Sequence, residues 1–172
     1  GVIVPMVNTV EQAKAAVASV HYPPKGQRGV GLARAQGYGV DFDNYQRRAA
    51  EETVVIVQIE SITALENLEA ILAVDGVDGY IVGPYDFSAS MNLAGQFENP
   101  KVKEALNKVQ TLGAKSGKPG GTHLVEPDPV KLRQLIEQGH RFIAYGVDFR
   151  MLDVSARIGS AFSRTARSGV RS

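Results

Sequence analysis

The run Thr53-Val54-Val55-Ile56-Val57-Gln58-Ile59-Glu60 sets four β-branched apolar residues side by side before a polar, apolar, polar ending. Continuous β-branched character predicts a strand buried on both faces, as parallel sheets require, rather than the half-exposed strand of an antiparallel pair. The chain alternates strands and helices on either side of this run. Upstream, Gly1-Val2-Ile3-Val4-Pro5 reads as the body of a strand, so the chain reads as beginning in mid-fold. Thr9 and Gln12 then stand at capping-box spacing, and Val10, Ala13, Ala16, Val17 and Val20 recur at helical spacing as far as Tyr22-Pro23-Pro24. A Gly-rich stretch from Gly26 to Gly39 reads as a loop, and Phe42 to Glu52 as a short helix.

Downstream, Leu65, Leu68, Ile71 and Leu72 mark a single helical face ending near Asp75-Gly76, followed by a strand at Tyr80 to Val82. Asn99-Pro100 and Asp128-Pro129 each combine an N-cap residue with proline at the first helical position. The second of these helices stops at Gly139, before a strand at Phe142 to Val147 and a short C-terminal helix from about Met151, capped by Asp148. Five strands result, near 2–6, 53–60, 79–83, 119–123 and 142–147, joined by crossovers that imply a parallel sheet. A doubly wound sheet would carry a Gly-rich phosphate loop after its first strand, where this chain has Pro5-Met6-Val7-Asn8. A barrel instead gathers polar chemistry at the C-terminal ends of its strands, where Gln58, Glu60, Asp86, His123 and Asp148 stand. A complete eight-unit barrel takes about 250 residues, so roughly three units are unaccounted for. The barrel domain is expected over 1–162, with a polar, frayed tail over 163–172.

The 172 residues include no Cys or Trp, and 19 basic against 18 acidic side chains leave a net charge of +1. Disulfide-stapled and disordered classes are excluded, and nothing in the charge advertises a nucleic acid or membrane partner. No apolar run spans a bilayer and no charged leader opens the chain, which makes the cytoplasm the default expectation.

The two-residue period of Gln58-Ile59-Glu60 turns Gln58 and Glu60 to one face and Ile59 to the other. In Gly83-Pro84-Tyr85-Asp86 the next strand ends, aiming backbone N–H groups and the Asp86 carboxylate at the same opening. Strands about 4.8 Å apart allow Glu60 and Asp86 to share one ion. Two carboxylates that leave positions for water and substrate oxygens suit Mg2+ or Mn2+. On spacing alone the alternative stays open: Glu60 as a solvated strand end and Asp86 as a helix N-cap. His123 ends its strand, while His21 and His140 read as surface or turn residues. Arg28 and Arg34 read as solvated loop residues that could also meet an anion or a neighbouring subunit, and Leu93 to Phe97 as a mobile loop at the mouth that could serve as a lid.

Several of these stretches resemble the HpcH/HpaI aldolases, class II metal-dependent pyruvate aldolases. They are Val4-Pro5-Met6-Val7, Tyr22-Pro23-Pro24-Lys25-Gly26-Gln27-Arg28-Gly29-Val30-Gly31, Val57-Gln58-Ile59-Glu60, Val74-Asp75-Gly76-Val77-Asp78-Gly79, Gly83-Pro84-Tyr85-Asp86-Phe87-Ser88-Ala89-Ser90-Met91 and Gly146-Val147-Asp148. The resemblance covers nearly all of residues 1–155. It implies an α/β fold, a (β/α)8 TIM barrel of which this chain holds roughly the fourth to eighth units. The implied assembly is a homo-oligomer, a hexamer or trimer, and the implied reaction is reversible cleavage of a 4-hydroxy-2-oxoacid to pyruvate and an aldehyde. By the same resemblance Glu60 and Asp86 are the metal ligands, for Mg2+, Mn2+ or Co2+. Gln58 is a pyruvate contact with a catalytic role, and Gly83, Pro84, Tyr85 and Ser88 line the substrate, with the Tyr85 amide donating to the pyruvate carboxylate. His123 faces the aldehyde side, where a histidine can also shuttle a proton.

Schiff-base chemistry is the rival, but it needs a lysine buried in a strand. All eight lysines fall on expected helices, loops or strand beginnings. The chain also departs from the family. Tyr85 and Phe87 stand where Ala and Leu are common, and the histidine, aspartate and arginine that the family's first three strands supply have no counterpart here. For a molecule of only 172 residues the expectation is weak pyruvate binding and little aldol cleavage. The alternatives are a CoA-ester lyase of the same superfamily and a partial-barrel chain, with little or no activity, that covers its open sheet edges by self-association.

Overall fold

The structure, a computed structural model, describes residues 1–168, with side chains through Ser160. The elements follow as β1 (Val2–Val4), α1 (Val10–Val20), a 3₁₀ helix (Arg34–Gly39), α2 (Phe42–Glu52), β2 (Val55–Ile59), α3 (Ile62–Glu66) and α4 (Leu68–Leu72). They continue with β3 (Gly79–Val82), α5 (Pro84–Ser90), α6 (Pro100–Lys115), β4 (Gly120–Leu124), α7 (Pro129–Glu137), β5 (Phe142–Tyr145) and α8 (Asp148–Ser168). All four strand pairings are parallel, in the order β1-β2-β3-β4-β5. Spatial order that follows chain order without a reversal excludes the doubly wound alternative, which needs a switch point. The sheet is a half-barrel with its helices on one face.

Register explains the core. Val57 pairs with Tyr80 and Ile59 with Val82, and these four point toward the helices. There they pack with Leu68, Ile71, Leu72, Phe87, Ala105 and Val109. Each fully buried Leu, Ile or Phe side chain contributes about 1.5–3 kcal/mol. The opposite face carries Gln58, Ile81 and Gly121 in one row.

Local signals produce the expected elements at α1, α6 and α7. The Thr9/Gln12 capping box forms at α1, Asn99 accepts from the Lys101 N–H, and Asp128 accepts from the Val130 and Lys131 N–H groups. Four expectations are corrected. The single helical face after Ser61 is two short helices, because the Asn67 side chain donates to the Thr63 carbonyl at 3.0 Å and the Asn8 carbonyl at 2.9 Å and interrupts the helix. The Gly26 to Gly39 loop contains a 3₁₀ helix built around buried Gln36, whose Oε1 accepts from the Ala33 N–H and whose Nε2 donates to the Tyr22 hydroxyl. The segment Leu93 to Phe97 is tied to α5 rather than free: the Gly95 N–H donates to Ser88 Oγ at 3.0 Å, and Phe97 packs edge-on against Tyr85 at 4.8 Å between centroids. The last helix is not short. It starts at Asp148, whose Oδ1 accepts from the Phe149 N–H at 2.7 Å, and runs to Ser168. Of the tail expected over 163–172, residues 169–172 lie outside the described residues. Among the described residues no helix is long and apolar enough to cross a membrane.

Candidate active site

Glu60 sits one residue past β2, at the C-terminal end of the sheet, and is 5% exposed. Its Oε1 accepts from Gln58 Nε2 at 2.5 Å, and its Oε2 accepts from the Met6 N–H at 2.9 Å. Gln58 and Glu60 therefore share a face, while Ile59 lies fully buried among the helices. Among the described residues no Lys, Arg or His forms an ion pair with Glu60. A buried carboxylate is costly unless paired or ligated. Neutral donors hold this one in place, and a carboxylate so oriented at a strand end is a donor that suits a divalent cation.

Gly83 completes the enclosure. A Cβ there would stand 2.7 Å from Glu60 Oε1 and 3.1 Å from Gln58 Nε2, so only a residue without a side chain leaves the pair its space. The Gly83 N–H donates to the Ile59 carbonyl at 3.3 Å, continuing the β2–β3 ladder to the rim. Gly83 also caps α5, with Pro84 at its first position. The first intrahelical bond runs from the Phe87 N–H to the Gly83 carbonyl at 2.9 Å, which leaves the Tyr85 and Asp86 N–H groups as free donors at this rim. Asp86 is exposed, in the first turn of α5, and the cap position that spacing alone allowed it belongs to Gly83. Ser88 is fully buried. Its hydroxyl donates to the Tyr85 carbonyl at 2.8 Å and accepts from the Gly95 N–H, so the geometry gives it a holding role beneath the rim.

His123 belongs to the same row. Gln58 pairs with Ile81 and Ile81 with Gly121, so two residues further on Glu60, Gly83 and His123 share a face, with Ala144 beside His123 on β5. Two strand spacings separate the Glu60 and His123 backbones by about 9–10 Å. The half-buried His123 ring sets Nε2 3.4 Å from the Gly146 carbonyl. Among the described residues no three His, Cys, Asp or Glu side chains converge on one point, so a metal here would draw on few protein ligands and keep positions for water and substrate. Among the described residues no lysine lies within a strand. Lys118, just before β4, donates to the Val74 and Val77 carbonyls at the opposite end of the sheet from Glu60.

The turn after β1 matters more than its sequence signalled. Met6 adopts φ +55°, a left-handed conformation uncommon for a side-chain-bearing residue, and its N–H reaches Glu60. The same turn is tied down by Ser61, whose hydroxyl donates to Asn8 Oδ1 at 2.5 Å. Ser61 also caps α3, its Oγ accepting from the Ala64 N–H at 3.0 Å, and neither this role nor its partner 53 residues away was read from the sequence.

A model of the HpcH/HpaI aldolase/citrate lyase family matches residues 1–153. A hydroxypyruvate/pyruvate aldolase of Roseobacter denitrificans is 43% identical over 153 residues, 88% of this chain and 59% of that protein. A 2-keto-3-deoxy-L-rhamnonate aldolase of Salmonella paratyphi B is 42% identical over 148 residues, 85% and 54% of the two chains. The crystal structure of an HpcH/HpaI aldolase/citrate lyase family protein from Burkholderia cenocepacia superposes with a TM-score of 0.86 at 32% identity, covering 94% of this chain and 64% of that one. The chain thus spans somewhat over half the length of these curated relatives.

Proposed function

The chain belongs to the HpcH/HpaI aldolase/citrate lyase family, and from that membership and the rim geometry we propose that it is the site-bearing part of a divalent-metal-dependent aldolase. Its substrate class is the 4-hydroxy-2-oxoacids, cleaved reversibly to pyruvate and an aldehyde. The observation that carries this reading is Glu60, a carboxylate buried at the C-terminal end of a parallel strand and held by Gln58 and the Met6 N–H, with no ion pair among the described residues. Glu60 and Asp86 would hold Mg2+, Mn2+ or Co2+. When bound, such an ion supplies Lewis acidity at the keto oxygen of the oxoacid.

The remaining tasks fall to protein groups. The free Tyr85 N–H at the start of α5 receives the substrate carboxylate, with the Gly83-Pro84 turn fixing its direction. Gln58 spends one N–H on Glu60 and keeps its carbonyl and second N–H for the oxoacid. In cleavage the C3–C4 bond breaks, its electron pair stays with C3, and the 4-hydroxyl gives up its proton as the aldehyde forms. His123, on the same row as Glu60, would take that proton at Nδ1, its Nε2 lying against the Gly146 carbonyl, and would set aldehyde preference. Self-association of this chain would cover the exposed Phe149, Leu152 and Ile158 of α8.

The test joins binding to turnover. Mn2+ titration should show a site weakened about tenfold or more by Glu60→Gln or Asp86→Asn, by analogy with the loss of a direct ligand group. Pyruvate release from a panel of 4-hydroxy-2-oxoacids should stop with EDTA. Chelator-insensitive release, or Mn2+ affinity indifferent to both substitutions, refutes the reading.

A further inference from the structure

At the other end of the sheet, a cavity of about 460 Å³ opens between the end of α6, the start of β4 and the segment joining α7 to β5. Its lining includes Tyr80, Gln110, Lys118, His140 and Arg141, and no acidic residue. Tyr80 is 4% exposed, and its ring threads between α6 and β4 where Gly113 and Gly120 leave room; a Cβ on either glycine would collide with the phenol. The hydroxyl has no hydrogen-bond partner among the described residues. No buried polar side-chain atom among the described residues lacks a partner, so this hydroxyl, though its ring is buried, is reached from the cavity, where a water or a ligand oxygen can meet it.

The other lining groups suit the same ligand. Arg141 is exposed and carries no ion pair among the described residues, while its backbone N–H is fixed on the Gly120 carbonyl at 2.9 Å. Lys118 gives two N–H donors to the Val74 and Val77 carbonyls, and an ammonium has a third. The half-buried His140 ring has no partner among the described residues either. Arg141 and Lys118 bring positive charge to the lining, with Asp75 and Asp78 acting on Lys118 from outside it, while His140 and the Tyr80 hydroxyl add neutral hydrogen-bonding groups; a guanidinium and a hydroxyl lining one cavity suit an oxyanion.

We propose that this cavity is a binding site for a small organic oxyanion, a carboxylate or a phosphate ester, whose charged group lies between Arg141 and the Tyr80 hydroxyl. Gly120 and His123 stand three residues apart on β4, so about 10 Å of strand separates this site from the rim. Its evidence is independent of the aldolase reading, and it stands or falls alone.

Calorimetric titration of the purified chain, in EDTA and at fixed ionic strength, tests it with succinate in one arm and glycerol 3-phosphate in the other. Saturable binding is expected in at least one arm, and the arm that binds identifies the oxyanion. Arg141→Ala should weaken it about tenfold and Tyr80→Phe about fivefold, the scale of a charge-assisted and a neutral hydrogen bond. Glu60→Gln should leave the affinity within about twofold, being at the far end of the sheet. Tyr80→Phe removes only an unpartnered oxygen, and Arg141 is exposed, so both variants should melt near the parent temperature. Absence of saturable heat in both arms up to about 10 mM, the weak end of specific binding, overturns the proposal. So does affinity unchanged in both cavity variants, or reduced equally by Glu60→Gln.

Discussion

The sheet has a dry half and a wet half. In β2 the residues Val55, Ile56, Val57 and Ile59 are buried, and so is every residue of β3. In β5 none is, and in β4 only Gly121. The cause lies in the helices and in side-chain volume. Leu68, Ile71 and Leu72 of α4, with Ala105 and Val109 of α6, cover β2 and β3. By contrast α7 buries no residue and leaves Val130 and Ile136 66% and 58% exposed. Gly120-Gly121-Thr122 on β4 offers little apolar area to cover. The buried carboxylate stands on the dry half, where burial makes a fixed charge most consequential. The histidine stands on the wet half, where a proton can be exchanged with water.

The largest consequence of that division is chemical. Glu60→Gln should lower metal-dependent pyruvate release by about 10²–10³-fold, the range for removing one preorganised charge-stabilising group, while circular dichroism stays that of the parent. His123→Gln should cost less and shift preference among aldehydes. Equal losses in both variants, read from kcat/KM on two substrates differing only in the aldehyde part, would erase the distinction between the halves.

Stability sharpens the comparison further. Leu68→Ala or Phe87→Ala should destabilise by about 3–5 kcal/mol in urea titration, as for fully buried side chains. Ile136→Ala, more than half exposed, should cost under about 0.5 kcal/mol. Comparable losses would show that α7 is covered in solution.

Gly83→Ala probes the seam. Its φ of −95° tolerates alanine, so the backbone is not the obstacle. The added methyl must displace the ends of Glu60 and Gln58, and these can swing. The expected cost is about 1–2 kcal/mol in stability, with Mn2+ affinity reduced more than the melting temperature would suggest. An unchanged Mn2+ affinity would count against the proposed metal site at this rim.

Much of the frame was legible because local chemistry dictates it. The β-branched run at 54–57, the Thr9 capping box and the two cap-proline pairs each act within a few residues, and each formed. The alternation in Gln58-Ile59-Glu60 correctly placed the two polar groups on one face. What sequence could not carry was long-range. The Met6 N–H reaching a carboxylate 54 residues on needs a left-handed turn that no local signal marks. Asn67 breaks a helix partly for a carbonyl 59 residues away. The resemblance put Ser88 along the substrate; only the packing shows its hydroxyl spent on the Tyr85 carbonyl and the Gly95 N–H. His140, read as a turn residue, proved to line a cavity.

That histidine gives the smallest effect and a test of the wet half alone. Burial holds its pKa below the usual 6.5, because the half-buried ring is less well solvated when charged. Its cavity neighbours from the other elements are Tyr80 on β3, Gln110 on α6, Lys118 before β4 and Gln138 after α7, with Arg141 next to it in the chain. None of them is a carboxylate that would reward protonation. The unfolded chain therefore binds this proton more readily than the folded one. Its contribution is fully present above pH 6.5 and is lost as pH falls below that value through the lower folded-state pKa, so stability declines toward pH 5. Unfolding midpoints measured from pH 7.5 to pH 5 should fall less steeply in His140→Gln than in the parent. A steeper fall in the variant would mean that the ring gains a partner on protonation, and that this half of the sheet is more tightly packed than its exposed strands imply.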